Sequence, residues 1–140
     1  MAEGGVAAMS LAEDSGAQAG RCAAIQEHTF QETVLDVAVC VQILAMKGSY
    51  IIWVGTKRPT FQALDLAMMT PMDPVPVGST LMGDSADSPG PSLAKRVAMK
   101  TKAQVYLSYN LPSTMPALQA GVEQLLMREI KAIQAAAASA

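Results

Sequence analysis

The amino-acid sequence predicts an α+β domain, in which a mostly antiparallel sheet of about six strands has two helices packed on one face. Two observations lead to this prediction. Short apolar segments separated by turn residues fill the first half of the chain, which is typical of strands joined by hairpins. Two later segments carry apolar residues at three- and four-residue steps, which indicates amphipathic helices, and one more strand-like segment lies between them.

The first three strands are predicted from alternation and turn residues. Residues 26–30 form a short, weakly patterned strand, and residues 34–46 carry the strongest strand signal of the chain. A three-residue turn that contains Gly48 leads into the apolar residues 50–54, which form the next strand. A turn of this length with a glycine is typical of a hairpin, so we expect the strands at 34–46 and 50–54 to be antiparallel neighbours.

The remaining strand candidates are less uniform. Residues 61–69 have apolar residues at every second position, which favours a strand, but they are rich in Ala and Met, which favour a helix. Residues 75–81 lie among prolines and form either an edge strand or an extended loop. Turn residues concentrate at 83–91, and residues 104–111 alternate in the manner of a last strand.

Two helices complete the predicted fold. The first covers residues 93–102, with Ser92 as its N-cap. Ser113 or Thr114 caps the second, which runs to about Gln134 with an apolar stripe along one side.

One domain with two tails is the expected organisation. A chain of 140 residues, of which 51% are apolar, buries about 70% of its unfolded surface, which suffices for a core without disulfides or metals. Residues 1–22 are mostly small and are predicted to be disordered, because they cannot bury enough area to offset the entropy of ordering. Residues 23–134 then form the domain, and residues 135–140 form a frayed tail.

Composition limits the classes of partner. The net charge of −2 and the aromatic content of 4% provide neither the basic surface nor the stacking platform that nucleic-acid binding needs. No apolar run reaches the ~18–20 residues of a membrane span. We therefore expect no nucleic-acid and no membrane partner. The first 20 residues contain no Lys or Arg, unlike a targeting leader, so we expect a cytoplasmic protein with reduced cysteines, and the nucleus as a second compartment.

No constellation of residues indicates catalysis, a cofactor or a metal. His28 is the single histidine and has no Cys or carboxylate at ligand spacing. Gly78 and Gly83 have the glycine spacing of a phosphate-binding loop, but Asp84 stands where such a loop needs a lysine. A protein-interaction role is therefore favoured. A small enzyme that uses the loop at 78–84 together with His28 remains an alternative.

Four cations crowd the first helix. Lys95, Arg96, Lys100 and Lys102 lie within eight residues and are four of the ten Lys and Arg residues in the chain. They indicate either a docking patch for an acidic protein surface or an ordinary solvated face, where cations near a helix C-terminus suit the helix dipole. Both interpretations stay open on the sequence alone.

The strand at residues 34–46 is apolar on both faces, as is the strand at 50–54. Two helices cover only one face of such a sheet, and a half-exposed antiparallel sheet normally alternates apolar and polar residues. An uncovered apolar face usually marks a protein contact. The first candidate set for a partner interface is Val37, Val39, Val41 and Ile43. The set on the other side is Ala38, Cys40 and Leu44, and alternation does not decide which set points outward.

Four motifs in a fixed order resemble one protein family. They read IIWVG at 51–55, VPVGSTLMGD at 75–84, LAKR at 93–96 followed by Lys100-Thr101, and QVYLSYNL at 104–111. This series is similar to the fourth proteasome assembly chaperone of eukaryotes, in particular its plant-type form. The resemblance extends from about Gln26 to about Gln134.

The resemblance implies a non-enzymatic chaperone without cofactors. It implies a heterodimer with the third assembly chaperone, which helps to build the α-ring of the proteasome core particle through transient contact with α subunits. It also implies a sheet of about six strands with two helices. In this light the four cations become candidates for docking on the α-ring. A generic interaction adaptor of the same fold is the alternative, followed by the small enzyme.

Overall fold

The computed structural model describes residues 25–83, 88–112 and 115–139, and this part of the chain contains six strands and two helices. In chain order they are β1 (Gln26–Val34), β2 (Val37–Met46), β3 (Ser49–Gly55), β4 (Leu64–Thr70), β5 (Asp73–Met82), α1 (Gly90–Thr101), β6 (Gln104–Tyr109) and α2 (Pro116–Ser139). The predicted disordered tail at residues 1–22 lies outside the described residues.

All six strands belong to one sheet, in the order β1-β2-β3-β6-β4-β5. Neighbouring strands are antiparallel, with the exception of β3 and β6, which are parallel. The chain leaves β3, forms β4, β5 and α1, and only then returns as β6, and a connection of this length allows parallel pairing. The predicted α+β class with a mostly antiparallel sheet is confirmed.

The segment predicted as one strand at 34–46 contains a tight turn near its start. Val34 ends β1 and pairs with Val37 at the start of β2. Between them, Leu35 and Asp36 have positive φ angles of 50° and 67°. A two-residue turn with both φ values positive matches the twist of the strands that it joins. The sequence does not reveal this turn because leucine is an uncommon residue in the left-handed region.

Both segments that the sequence left open are strands. Leu64–Thr70 is β4 and pairs with β5 and β6, and Asp73–Met82 is β5, at the edge of the sheet. Pro74 and Pro76 are tolerated in β5 because an edge strand has one side without ladder hydrogen bonds.

Both helices differ from their predicted bounds. Pro89, not Ser92, is the N-cap of α1, and a Cβ at Gly90 would clash with the Asp65 carboxylate. The predicted caps of α2, Ser113 and Thr114, lie outside the described residues. α2 continues to Ser139, because the alanines after Gln134 have the highest helix propensity. In the described part of the chain, no helix combines the length and the apolar character needed to cross a membrane.

Both helices cover the same face of the sheet, as predicted. Ile43 and Ile52 from the sheet, Leu93 and Val97 from α1, and Leu126 from α2 are all 2% exposed or less and belong to one core cluster. Burial of such a side chain stabilises the fold by about 1.5–3 kcal/mol. The contact between the sheet and the helices is thus the main core of the molecule.

Candidate functional site

The face of the sheet opposite the helices has no layer packed on it within the described residues, and we call it the open face. Four apolar side chains lie directly opposite one another across its four central strands, because Leu44 pairs with Ile51, Ile51 with Tyr106, and Tyr106 with Leu66. We call this set the apolar row. Ile51 is 37% exposed and the other three are partly exposed.

The structure corrects the first candidate set for the partner interface. Val39, Val41 and Ile43 are at most 1% exposed, and the partly buried Val37 packs against the same core. All four point toward the helices, so a partner could not reach them in this fold. The alternating side chains of β2, Ala38, Cys40 and Leu44, occupy the open face.

The open face is polar at one edge and apolar over most of its width. At the β1 edge, Thr29 pairs with Gln42, and the Gln42 side-chain amide donates a hydrogen bond of 2.6 Å to the Glu27 carboxylate. Toward the other edge, Met68 of β4 pairs with Val77 of β5, which is 47% exposed. The apolar surface therefore extends from β2 to β5.

The loop between β3 and β4 borders one end of the open face. The Trp53 indole donates a hydrogen bond of 2.9 Å to the Thr60 carbonyl oxygen, which holds the loop against the sheet. Phe61 is 56% exposed and, with Trp53 and Gln42, lines a shallow depression of about 390 Å³. Gly55 permits this arrangement, since a Cβ there would lie 2.5 Å from the Trp53 ring.

The four cations of the first helix are all exposed, but the structure gives them different neighbours. Arg96 forms a bidentate ion pair with Glu123 of α2, at 2.6 and 2.7 Å. The stem of Lys95 passes over Gly78 of β5, where an added Cβ would lie 2.8 Å from the lysine Cε. Lys100 faces a groove between the helices, and Lys102 ends α1 in the left-handed conformation. All four lie on the helical side of the molecule.

The residues of the enzyme alternative are not brought together. His28 lies on β1 with its Nε2 atom buried and without a hydrogen-bond partner among the described residues, whereas Gly78 lies on β5 at the far edge. Five strand spacings separate these edges, or roughly 24 Å. Residues 78–82 are strand, and Asp84 lies outside the described residues. Over the described ranges, no group of three His, Cys, Asp or Glu residues could hold a metal.

Two buried polar groups were missed by the sequence analysis. Asp65 is 2% exposed, accepts a hydrogen bond of 2.7 Å from the Thr80 hydroxyl, and lies against the first turn of α1 at Gly90. Tyr109 is 4% exposed, and burial raises the pKa of its hydroxyl to about 12. Strand alternation predicts that both side chains point toward the core. The sequence does not show which groups surround them there.

Comparisons with known proteins identify relatives of this chain. The sequence profile of the family described as proteasome assembly chaperone 4 matches residues 38–111, from the start of β2 to just after β6. Proteasome assembly chaperone 4 of Mus musculus is 34% identical over 104 residues, which cover 74% of this chain and 84% of the mouse protein. The Homo sapiens protein of the same name is 33% identical over 105 residues, covering 75% and 85%.

A solved structure shares the fold. One chain of a chaperone complex for yeast 20S proteasome assembly, known from a crystal structure, superposes with a TM-score of 0.55. The superposition covers 79% of this chain and 96% of the yeast chain at 15% sequence identity. The matched family segment spans more than half of the chain and includes the apolar row and all four helix cations. The chain belongs to the proteasome assembly chaperone 4 family.

Proposed function

We propose that this chain is a non-enzymatic chaperone for assembly of the proteasome core particle, and that it acts on the α-ring as a heterodimer with the third assembly chaperone. Family membership supports the chaperone role. The similar yeast chain comes from a complex for 20S proteasome assembly, which supports a second chaperone as the partner. The proposed location is the cytoplasm, with the nucleus as a second compartment.

The apolar row is the observation that carries the proposal. Its members are carried by four strands and lie on a face that neither helix covers, whereas an antiparallel sheet with one face in water normally has polar residues there. A contiguous apolar surface of this kind marks a protein contact. An apolar face offers contact area, so binding is the chemistry that this face supports.

A sheet of the partner chaperone is the proposed occupant of the open face. Two sheets that pack face to face lie about 10 Å apart, with their side chains interdigitated. Ile51 and Tyr106 would then lie at the centre of the interface, where aromatic and aliphatic side chains contribute most. The polar residues of β1 would form the rim.

The helical side is the proposed contact for α subunits. Lys95, Lys100 and Lys102 are exposed there, and exposed charges mainly raise the rate and specificity of association. Arg96 contributes less, because Glu123 already neutralises it. Since the helical side and the open face lie on opposite sides of the sheet, one chain can hold the partner chaperone and a transiently bound α subunit together.

Affinity capture of the full chain from cell extract tests the function. We expect recovery of a second small assembly chaperone together with proteasome α subunits. Reversal of Lys95 and Lys102 to Glu should reduce recovery of α subunits and leave the partner chaperone unchanged, and the effect should diminish at high salt. The matched control reverses Lys47 and Lys57, which are also exposed but lie in the β2–β3 and β3–β4 connections and not on α1.

Two results would favour the alternatives. Recovery of unrelated proteins without α subunits would identify a generic adaptor of the same fold. Recovery of a metabolite or nucleotide without proteins would identify an enzyme. Either result would contradict the chaperone assignment.

A further inference from the structure

Two methionines line a groove on the helical side of the molecule, and the proposed function assigns no ligand to this groove. Met99 of α1 is 44% exposed, and Met127 of α2 is partly buried against the core. Together with Arg96 and Lys100 they line a shallow groove of about 400 Å³, which we call the methionine groove. An exposed methionine next to a second one on the facing helix forms an apolar floor that adapts its shape readily.

Two cations of α1, Arg96 and Lys100, border this floor. Around Met99, Lys95 and Arg96 lie one turn before it, Lys100 follows it directly, and Lys102 lies nearly one turn after it. α1 contains no acidic residue. Because the stem of Lys95 lies over β5 and Arg96 is paired with Glu123, Lys100 supplies the positive charge of α1 beside this floor.

The two ends of the groove differ in charge because of the ion pairs of α2. Glu123 lies one turn before Met127, but it is paired with Arg96, so this end of the groove is neutral. Lys131 lies one turn after Met127 and is exposed, so the other end is cationic. Arg128 adds little to this charge, because it is paired with Glu32 at 3.0 Å and Glu129 at 3.4 Å.

We propose that the methionine groove binds an acidic segment of the client α subunit, with one apolar side chain of that segment between Met99 and Met127 and its carboxylates near Lys100 and Lys131. The identification of the client rests on the proposed function. Charge complementarity selects an acidic occupant, and the apolar floor selects one with a hydrophobic anchor, as in other grooves between helices. The partner chaperone is assigned to the opposite side of the sheet and does not compete.

Methionine methyl NMR of the full chain tests the groove directly. The chain contains ten methionines, and substitution by Leu assigns the signals of Met99 and Met127. The first probe is a synthetic peptide with a central Leu flanked by Glu residues, added to ~1 mM, which detects even weak binding. The second probe is each purified proteasome α subunit, with binding recorded independently by sedimentation. Met72, which is 93% exposed in the β4–β5 turn, is the internal control.

We expect both probes to shift the methyl signals of Met99 and Met127 and to leave that of Met72 unchanged. A peptide with Lys in place of Glu should have no effect. The double variant Lys100→Glu, Lys131→Glu should weaken binding of the acidic peptide at least about tenfold, which corresponds to ~1.4 kcal/mol. The control variant Lys47→Glu, Lys57→Glu carries the same charge change outside the groove and should bind normally.

The possible outcomes distinguish a failure of the proposed groove from a failure of the proposed function. If α subunits bind while neither probe shifts Met99 or Met127, the groove is overturned and the chaperone function stands. If the acidic peptide shifts both signals while no α subunit binds, the groove stands as an acidic-segment site and the proposed function fails. Equal shifts with the Lys peptide would overturn the charge requirement.

Discussion

Tyr109 shows what alternation predicts about a single side chain and what it does not. Its position in β6 predicts an inward orientation, and the ring is buried at 4% exposure. The hydroxyl has no hydrogen-bond partner among the described residues. Burial raises its pKa to about 12, because an ionised phenolate would lose its hydration. The sequence could not predict this environment, since the residues that line the two depressions beside Tyr109 come from both helices and from loops.

Tyr109 makes folding stability depend on alkaline pH. The unfolded side chain ionises near its ordinary pKa of 10.0, and the folded one near 12. Between these values the folded state binds more protons, so stability is full below pH 10 and is lost as the pH rises toward 12, by roughly 1–3 kcal/mol. Tyr109→Phe should remove this loss and leave stability at neutral pH unchanged or about 1 kcal/mol higher.

Urea unfolding at a series of alkaline pH values measures the effect of Tyr109. The matched control is Tyr50→Phe, which retains Tyr109 and should retain the wild-type pH dependence. A Tyr109→Phe variant that loses stability with pH as the wild type does would show that another group is responsible.

Among the elements, the β1–β2 turn carries local backbone strain. Leu35 adopts a φ of 50° and is 54% exposed, so its side chain gains little from burial in exchange. A residue with a Cβ in the left-handed region costs about 1–2 kcal/mol, and Asn tolerates that region better than Leu. Leu35→Asn should therefore stabilise the protein by roughly 0.5–1 kcal/mol in thermal unfolding. The control Leu35→Val, which is β-branched, should destabilise it, and the reverse order would contradict the assigned turn.

The contact between α2 and β1 depends on a glycine. A Cβ at Gly121 would lie 2.6 Å from a methyl group of Val34. Alanine at this position gains about 1 kcal/mol in helix propensity, whereas forced packing costs about 1–3 kcal/mol. We expect Gly121→Ala to destabilise the protein by up to about 2 kcal/mol in urea unfolding. The double variant Gly121→Ala, Val34→Ala should recover much of this loss, and additive effects would contradict the contact.

Most elements were predictable because their signals are local. Alternation located the strands, helical spacing located both helices, and the hairpin between β2 and β3 followed from its glycine turn. The turn at Leu35, the start of α1 at Gly90 and the end of α2 beyond Gln134 were not predicted correctly. The turn depends on an unusual backbone conformation, and the start of α1 depends on a tertiary contact with Asp65. The end of α2 depends on the helix propensity of alanine, which leaves no apolar pattern in the sequence.

For the molecule as a whole, the position of β6 decides what the sequence could reveal about the site. The family prediction is confirmed. The strands that are apolar on both faces also allowed the sequence to predict an apolar face that the two helices do not cover. The apolar row could not be predicted from the sequence, because Tyr106 lies beside Ile51 and Leu66 only when β6 is inserted between β3 and β4. The first candidate set on β2 was wrong for a different reason: strand alternation gives two faces but does not tell which one the helices cover.

The pairing of this chain with the third assembly chaperone, measured by analytical ultracentrifugation of purified proteins, tests the assignment of the open face most directly. Ile51→Glu places a charge in the centre of the apolar row, and Ile51 is exposed enough for the monomer to remain folded, which circular dichroism verifies. The control Thr29→Glu adds the same charge at the polar β1 edge of the same face. We expect Ile51→Glu to weaken the heterodimer at least about thirtyfold, or ~2 kcal/mol, and Thr29→Glu to leave its affinity unchanged. Pairing of Ile51→Glu with wild-type affinity would contradict the assignment.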